Sequence, residues 1–340
     1  MKINNPFVKC IPSVFVVCSP FQALCAIAAI RQLEIKDYKM VTLLRKGNVR
    51  NSQLIQLLNK EQIHYKSFTY TSRIYLQFIK LFALKSKKQG YNRLFVGDFR
   101  DFAEHYIGFL YIQDDADVVY LDDGSSTIDI LKGTYEDSNS ALNKRMIKKI
   151  SCRRNLEIHK NWMTIYSDIS NPQYNIEELK FENVMNKSVS ASRSSGIYIV
   201  GTYVDAYCKN LEIPEDVFVD KLGHLMETLH SQYPDEEIAF IPHGREYKDY
   251  GQRLCKKYNC IFIRPEIMIE QELMRHPNPP KIIYGYASTA LYNLKKMFPD
   301  TRVVNIFFVP PKETPFYKKY ISISEYFQQN GIEWVRELIS

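Results

Sequence analysis

At 340 residues, with 45% hydrophobic and 24% charged positions, the chain is too long for one comfortable core and suits two domains of roughly 150 to 200 residues each. Its 13 glycines and 15 prolines exclude a fibrous or disordered chain. The net charge of +7 is a modest basic excess that fits anionic small molecules or an anionic membrane surface. Nucleic-acid binding is disfavoured, because the basic residues are scattered and no recognition motif appears.

Seven cysteines (10, 18, 25, 152, 208, 255 and 260) form an odd number without CxxC spacing, several of them inside apolar runs. They read as reduced thiols of a cytoplasmic protein, with no zinc site. The most apolar stretch, residues 11–30, is interrupted by Ser19, Pro20 and Gln22 and preceded by only Lys2 and Lys9 as basic residues. It suits neither a signal peptide nor a membrane span of about 20 apolar residues.

The first element is the apolar run Val14–Cys18, which reads as a buried strand. Ser19 follows as a helix cap, Pro20 stands at the first helical position, and the alanine-rich helix runs to Leu33. The turn is either a plain cap or, with Ser19 and Gln22 at a helix start facing strand ends, a seat for an anion or sugar hydroxyl. Further strands are predicted at Met40–Leu44 and Arg93–Val96, and helices at Asn51–Asn59 and Phe99–Leu110. Arg73–Lys88 mixes aromatic and aliphatic residues with basic ones. It reads as a helix packed on the sheet, or alternatively as one lying on a membrane surface.

Val118–Leu121 is the next strand, ending at Asp122, Asp123 and Gly124. Two adjacent carboxylates at a strand end make a usable base, because like charges held close raise one pKa, yet Asp-Gly is also a common turn pair. Six of the eleven residues 144–154 are basic, either an exposed helix face or a patch for phosphate or lipid headgroups.

Asn186–Ser195 is polar and reads as the linker. A second series follows: strand Ile197–Val200 with the loop Gly201–Asp205, helix Val217–Tyr233, strand Ile238–Ile241, strand Ile261–Ile263 and helix Met268–Met274. The strand Ile238–Ile241 stops at Pro242, and His243, Gly244, Arg245 and Glu246 come in close succession. Ile282–Gly285 then passes through Ala287, Ser288 and Thr289 into a helix whose start suits a phosphate, although the glycine pattern of a P-loop is missing. Val303–Phe308 closes the series as a strand before Pro310 and Pro311.

Two βα lobes of this kind predict an α/β fold of the GT-B type: two Rossmann-like domains with a cleft between them. Residues 1–190 are expected as the N-terminal and residues 191–312 as the C-terminal Rossmann-like domain. Residues 313–340 are expected as a helical tail crossing back to the first domain.

The sequence resembles the bacterial sialyltransferases of glycosyltransferase family 52, the lipooligosaccharide and capsule type. The resemblance rests on six stretches that follow the family's order across nearly the whole chain: Val17–Gln22, Leu121–Ser125, Val200–Thr202 with Asp205, Ile241–Arg245, Pro265 with Ile269 and Glu270, and Gly285–Leu291. It implies an inverting, metal-independent transferase without cofactor, moving sialic acid from CMP-sialic acid to a terminal galactoside of a surface glycan. Asp205 would be the base, with Asp123 and Asp122 as rivals, and His243 would support the departing phosphate. Ser288 and Thr289 would bind CMP phosphate and Glu270 the nucleoside, with Gly201, Thr202, Pro242, Gly244 and Arg245 completing the donor side. Ser19, Gln22 and Gly124 would face the acceptor.

Two positions depart from the family: Gly244 stands where a proline is usual, and the Asp205 loop is one residue longer. A cytoplasmic protein is expected, with peripheral attachment to the inner membrane and a homodimer both open. A related transferase with another nucleotide sugar, or a glycan-assembly protein without turnover, are the alternatives.

Overall fold

The computed structural model describes residues 5–48, 50–70, 90–135, 141–181, 184, 195–276, 278–314 and 316–338. The chain divides into two compact units, Met1–Met185 and Asn186–Ser340. The expected basic helix at Arg73–Lys88 and most of the expected linker fall outside the described residues.

In the first unit, strands β1 (Ser13–Val17), β2 (Tyr38–Arg45), β3 (Tyr65–Tyr70), β4 (Tyr91–Val96), β5 (Ile112–Tyr120), β6 (Asn161–Thr164) and β7 (Asn175–Glu178) form one sheet in the order β3-β2-β1-β4-β5-β6-β7. Every neighbouring pair is parallel. Helices α1 (Pro20–Gln32), α2 (Arg50–Lys60), α3 (Phe102–Phe109), α4 (Ser126–Leu131) and α5 (Ala141–Arg153) connect the strands. Ser19 caps α1 by accepting from the Gln22 N–H, Pro20 opens it, and α1 is buried from Pro20 to Ile30. It therefore serves as core rather than as an amphipathic cover.

The second unit holds β8 (Ile197–Val200), β9 (Ile238–Ile241), β10 (Ile261–Phe262), β11 (Ile282–Gly285), β12 (Arg302–Val309) and β13 (Glu333–Leu338) in the order β10-β9-β8-β11-β12-β13, again parallel throughout. Its helices are α6 (Val204–Leu211), α7 (Glu215–Gln232), α8 (Tyr250–Lys257), α9 (Ile269–Arg275), α10 (Thr289–Met297) and α11 (Tyr317–Gln329). In both units the strand order reverses beside the first strand, between β1 and β4 and between β8 and β11, where doubly wound sheets open a crevice at the carboxyl ends of their strands.

Residues 313–340, read as a helical tail, hold helix α11 and also strand β13, both in the second unit. Helix α11 packs in the second unit, where the Tyr326 and Tyr292 hydroxyls lie 3.1 Å apart, and β13 pairs with β12 from Val304↔Glu333 to Val309↔Leu338. A charged edge strand such as Glu-Trp-Val-Arg-Glu-Leu carries no continuous apolar run, which hides it in the sequence. Among the described residues no helix is long and apolar enough to cross a membrane.

Arg93 is the anomaly of the first core, fully buried inside β4. Its guanidinium donates to the Ser13 hydroxyl (3.0 Å) and to the carbonyls of Pro6 (2.7 Å), Val8 (2.9 Å) and Ile11 (3.4 Å), and it lies over the Phe95 ring at 5.0 Å. One side chain thus ties the segment before β1 to the sheet. Arg93→Met should lower stability by about 3 kcal/mol, because several charge-assisted bonds are lost, among them the buried one to the Pro6 carbonyl. Urea unfolding measures this, and a loss below about 1 kcal/mol would mean that the tie contributes little.

Candidate active site

The first polar cluster forms where β1, β4 and β5 end. Gln22 is fully buried at the start of α1. Its Oε1 accepts from the Cys18 N–H (2.7 Å) and its Nε2 donates to Asp123 Oδ1 (2.9 Å). Gly97, directly after β4, makes this possible, since a Cβ there would lie 2.5 Å from Gln22 Cδ.

Past Gly97, Arg100 forms a two-pronged bond to Asp98 (2.8 and 2.9 Å) and also bonds Asp123 Oδ2. The buried Glu104 accepts from the Asp98 N–H at 2.8 Å, fixing the turn that carries Arg100. Asp123 is therefore held on one oxygen by Gln22 and on the other by Arg100. Gly124 follows at φ +78, a left-handed turn that any side chain would strain.

Burial decides the proton affinity here. It raises the Asp123 pKa to about 7, helped by the neighbouring Asp98 charge and opposed by Arg100 and the Gln22 hydrogen bond. The Asp123 side chain nonetheless keeps 28% exposure, so it can be reached. Asp122 is fully buried, accepts from Thr164 Oγ1 (2.6 Å) and the Ile165 N–H (2.9 Å), and is also raised to about 7 because burial outweighs those bonds. Asp122 thus ties β5 to the end of β6, while Asp123 is the carboxylate of the pair that solvent reaches. Ser19 is half-buried, and its hydroxyl is the α1 cap.

The second cluster lies at the ends of β8, β9 and β11. A Cβ at Gly201 would meet the His243 nitrogen at 3.0 Å and Pro242 Cα at 3.1 Å, so the loops after β8 and β9 touch through this glycine. Tyr203 gathers three of the expected residues. Its hydroxyl is 3.4 Å from Asp205 Oδ2, its ring is 5.9 Å from that of His243, and the Arg245 guanidinium lies 4.8 Å from its face. His243 Nδ1 accepts from the Arg245 N–H at 3.2 Å, which leaves the proton of the neutral imidazole on Nε2. Thr202 is half-buried in the loop after β8, while Gly244 and Arg245 are exposed.

Asp205 was expected in a loop but stands in the first turn of α6. Lys248 donates to it at 2.5 Å and to both Glu215 oxygens at 2.6 and 2.7 Å, and the Tyr247 hydroxyl is 3.4 Å away. The Lys248 hydrogen bond lowers the Asp205 pKa. Lys248 and Tyr247 also line a depression of about 540 Å³ with Glu215 and Arg253.

Ser288 caps α10, its hydroxyl accepting from the Ala290 N–H, and Thr289 opens the helix. Glu270 is buried and accepts from Asn293 of α10 at 2.7 Å. The structure therefore groups Asp205, His243 and Arg245 around Tyr203, places Ser288 and Thr289 after the strand next to β8, and fastens Glu270 inside the fold. Gly97, Asp98, Arg100, Glu104, Tyr203 and Lys248 escaped the sequence reading. Gly97-Asp98 after a buried strand repeats in reverse the Asp123-Gly124 signal and could have marked the first cluster. Among the described residues no three His, Cys, Asp or Glu side chains assemble as a metal-ligand set.

No protein-family model matches the sequence, and no curated protein matches it. Among solved structures the chain is similar to a Listeria monocytogenes protein described as a UDP-N-acetylglucosamine 2-epimerase, with TM-score 0.51 and 10% identity over 88% of this chain and 79% of that one. It is also similar to S. aureus MnaA in a co-structure with UDP, at TM-score 0.49 and 10% identity over 88% and 79% of the two chains. Acinetobacter baumannii MurG gives TM-score 0.44 and 10% identity over 95% and 85%.

The raised Asp122 has a consequence for stability. Its pKa is about 7 in the fold against the ordinary aspartate value of 3.8, so between those values the folded chain holds a proton that the unfolded chain has released. That contribution is fully present below about pH 4 and is lost as pH rises through about 7. Asp122→Asn should therefore gain stability relative to the parent between pH 5 and pH 8. Urea midpoints at the two pH values test this, and an unchanged difference would show that Asp122 is ionised throughout.

At 10% identity the likeness is one of fold, and the epimerase match together with the two parallel sheets makes this chain a two-unit α/β protein of the GT-B type.

Proposed function

We propose that this protein is an inverting, metal-independent glycosyltransferase that moves sialic acid from CMP-sialic acid to a terminal galactoside of a bacterial surface glycan, working in the cytoplasm or at the inner face of the membrane. The observation that carries the catalytic part is Asp123, a reachable carboxylate held by Gln22 and Arg100 and raised to about 7. The donor assignment rests on the resemblance of the motifs around His243 and Ser288 to family 52.

The acceptor hydroxyl must lose its proton as it attacks the anomeric carbon, and a base works best when its pKa is near the working pH. Asp123 meets that condition. Asp205, bonded to Lys248 and lowered, is the weaker base and serves to hold the β9 loop through Lys248 and Tyr247. One displacement at the anomeric carbon inverts the centre and releases CMP.

The departing phosphate gains charge and needs donors placed in advance. His243 offers Nε2–H. The Ser288 hydroxyl, already accepting from Ala290, can still donate its hydrogen, and the start of α10 adds the positive end of the helix dipole. Together these carry the phosphate charge without a metal.

Transfer from CMP-sialic acid to lactose tests the reading, with a panel of UDP-sugars as rival donors. Asp123→Asn should reduce kcat/KM about 100-fold or more, the scale of a lost general base. Asp205→Asn should cost less than about tenfold, and the opposite ranking moves the base to Asp205. His243→Ala should lower kcat about 100-fold.

The parent's kcat/KM should rise with pH and level off above about 7, as Asp123 loses its proton. A profile flat from pH 5 to 9 would remove Asp123 from the mechanism.

A further inference from the structure

Asn305 is a polar residue in the middle of a strand whose neighbours are apolar and buried, Val303, Val304, Ile306, Phe307 and Phe308, and it is itself fully buried. Its Oδ1 accepts from the backbone N–H of Ala287 at 2.7 Å, and its Nδ2 donates to Ser324 Oγ of α11 at 2.9 Å. Only the amide oxygen can accept from a backbone N–H, so the Ala287 bond fixes which way the amide faces.

Ala287 has φ +45, left-handed backbone that an L-residue other than glycine rarely adopts and that persists only when surroundings enforce it. The next residue, Ser288, is the cap of α10. A chain of contacts thus runs from α11 through Ser324 and Asn305 to the turn that sets the first amides of α10.

We infer that Asn305 is a positioning residue: it holds the left-handed turn at Ala287 and so sets the amides at the start of α10 that receive the donor phosphate. The inference rests on the donor reading above. A polar side chain that merely satisfied its own buried neighbours would not care which residue stands at 287. Asn305 as an enforcer of the turn should matter less once position 287 adopts positive φ unaided, as glycine does.

The experiment is a cycle of Asn305→Ala and Ala287→Gly, read by calorimetric binding of CMP and UDP and by urea unfolding. Asn305→Ala should weaken nucleotide binding about tenfold, the factor expected of one hydrogen bond of average strength. Adding Ala287→Gly should recover most of that loss, whereas Ala287→Gly alone should bind close to the parent. Binding unchanged by Asn305→Ala, or a loss that glycine does not recover, overturns the inference.

If Asn305→Ala does not fold, Ser324→Ala serves as the milder variant. It frees the amide to turn, and the expected loss is roughly two- to fivefold, again recovered by Ala287→Gly. Unchanged binding there counts against the role. A parent that binds UDP but not CMP refutes the sialyl donor and leaves the Asn305 cycle readable with UDP. A parent that binds neither refutes the donor reading and this inference with it.

Discussion

A parallel strand covered on both faces has no place for a charge except at its ends, because an unpaired buried charge costs far more than a typical contact returns. Both sheets obey this constraint. The central strands β1, β8, β9 and β11 are buried along their whole length, and most of the expected site residues lie just beyond the carboxyl ends of such strands. Arg93 and Asn305, buried polar residues inside strands, each bond a backbone group of a neighbouring segment and hold that segment in place.

The same constraint separates carboxylates that look alike in sequence. Asp122, Asp123 and Asp205 all follow β strands closely, and all have strong partners. Asp205, whose side chain is about as exposed as that of Asp123, is bonded by Lys248, which favours the ionised form. For Asp123 the desolvation of its surroundings and the charge of Asp98 outweigh Arg100, which is already shared with Asp98 in a two-pronged bond. The crowded surroundings and the Asp98 charge at Asp123, against the Lys248 bond at Asp205, therefore rank them as bases.

Much of the fold was legible because parallel strands buried on both faces read as apolar runs. Val14–Cys18, Ile197–Val200, Ile238–Ile241 and Ile282–Gly285 appear almost at their observed bounds. Of the strands that escaped, Tyr65–Tyr70, Asn175–Glu178 and Glu333–Leu338 are sheet edges where one side meets water and the apolar run dissolves, whereas Asn161–Thr164 is buried but short, with two polar residues among its four. That loss at the edge hides the last strand of the chain. Strand ends pointed to Asp123, His243 and Ser288, but local sequence could not show that Gln22 reaches Asp123 across 101 positions or that Lys248 claims Asp205.

Glycine at a strand end has a second meaning that chain order conceals. Gly97 and Gly201 each immediately follow a strand flanking the point where strand order reverses, and at each a Cβ would strike residues that follow another strand. At Gly97 the obstacle is the Gln22 side chain, which could move only by giving up Asp123. At Gly201 it is the backbone of Pro242 and His243, which cannot move without shifting the β9 loop as a whole. Alanine at 97 would thus disturb one carboxylate, while alanine at 201 would re-aim His243 and Arg245 together. Each unit uses the absence of one methyl group to bring two strand-end segments to a shared point, and the polar groups carried by those segments meet there.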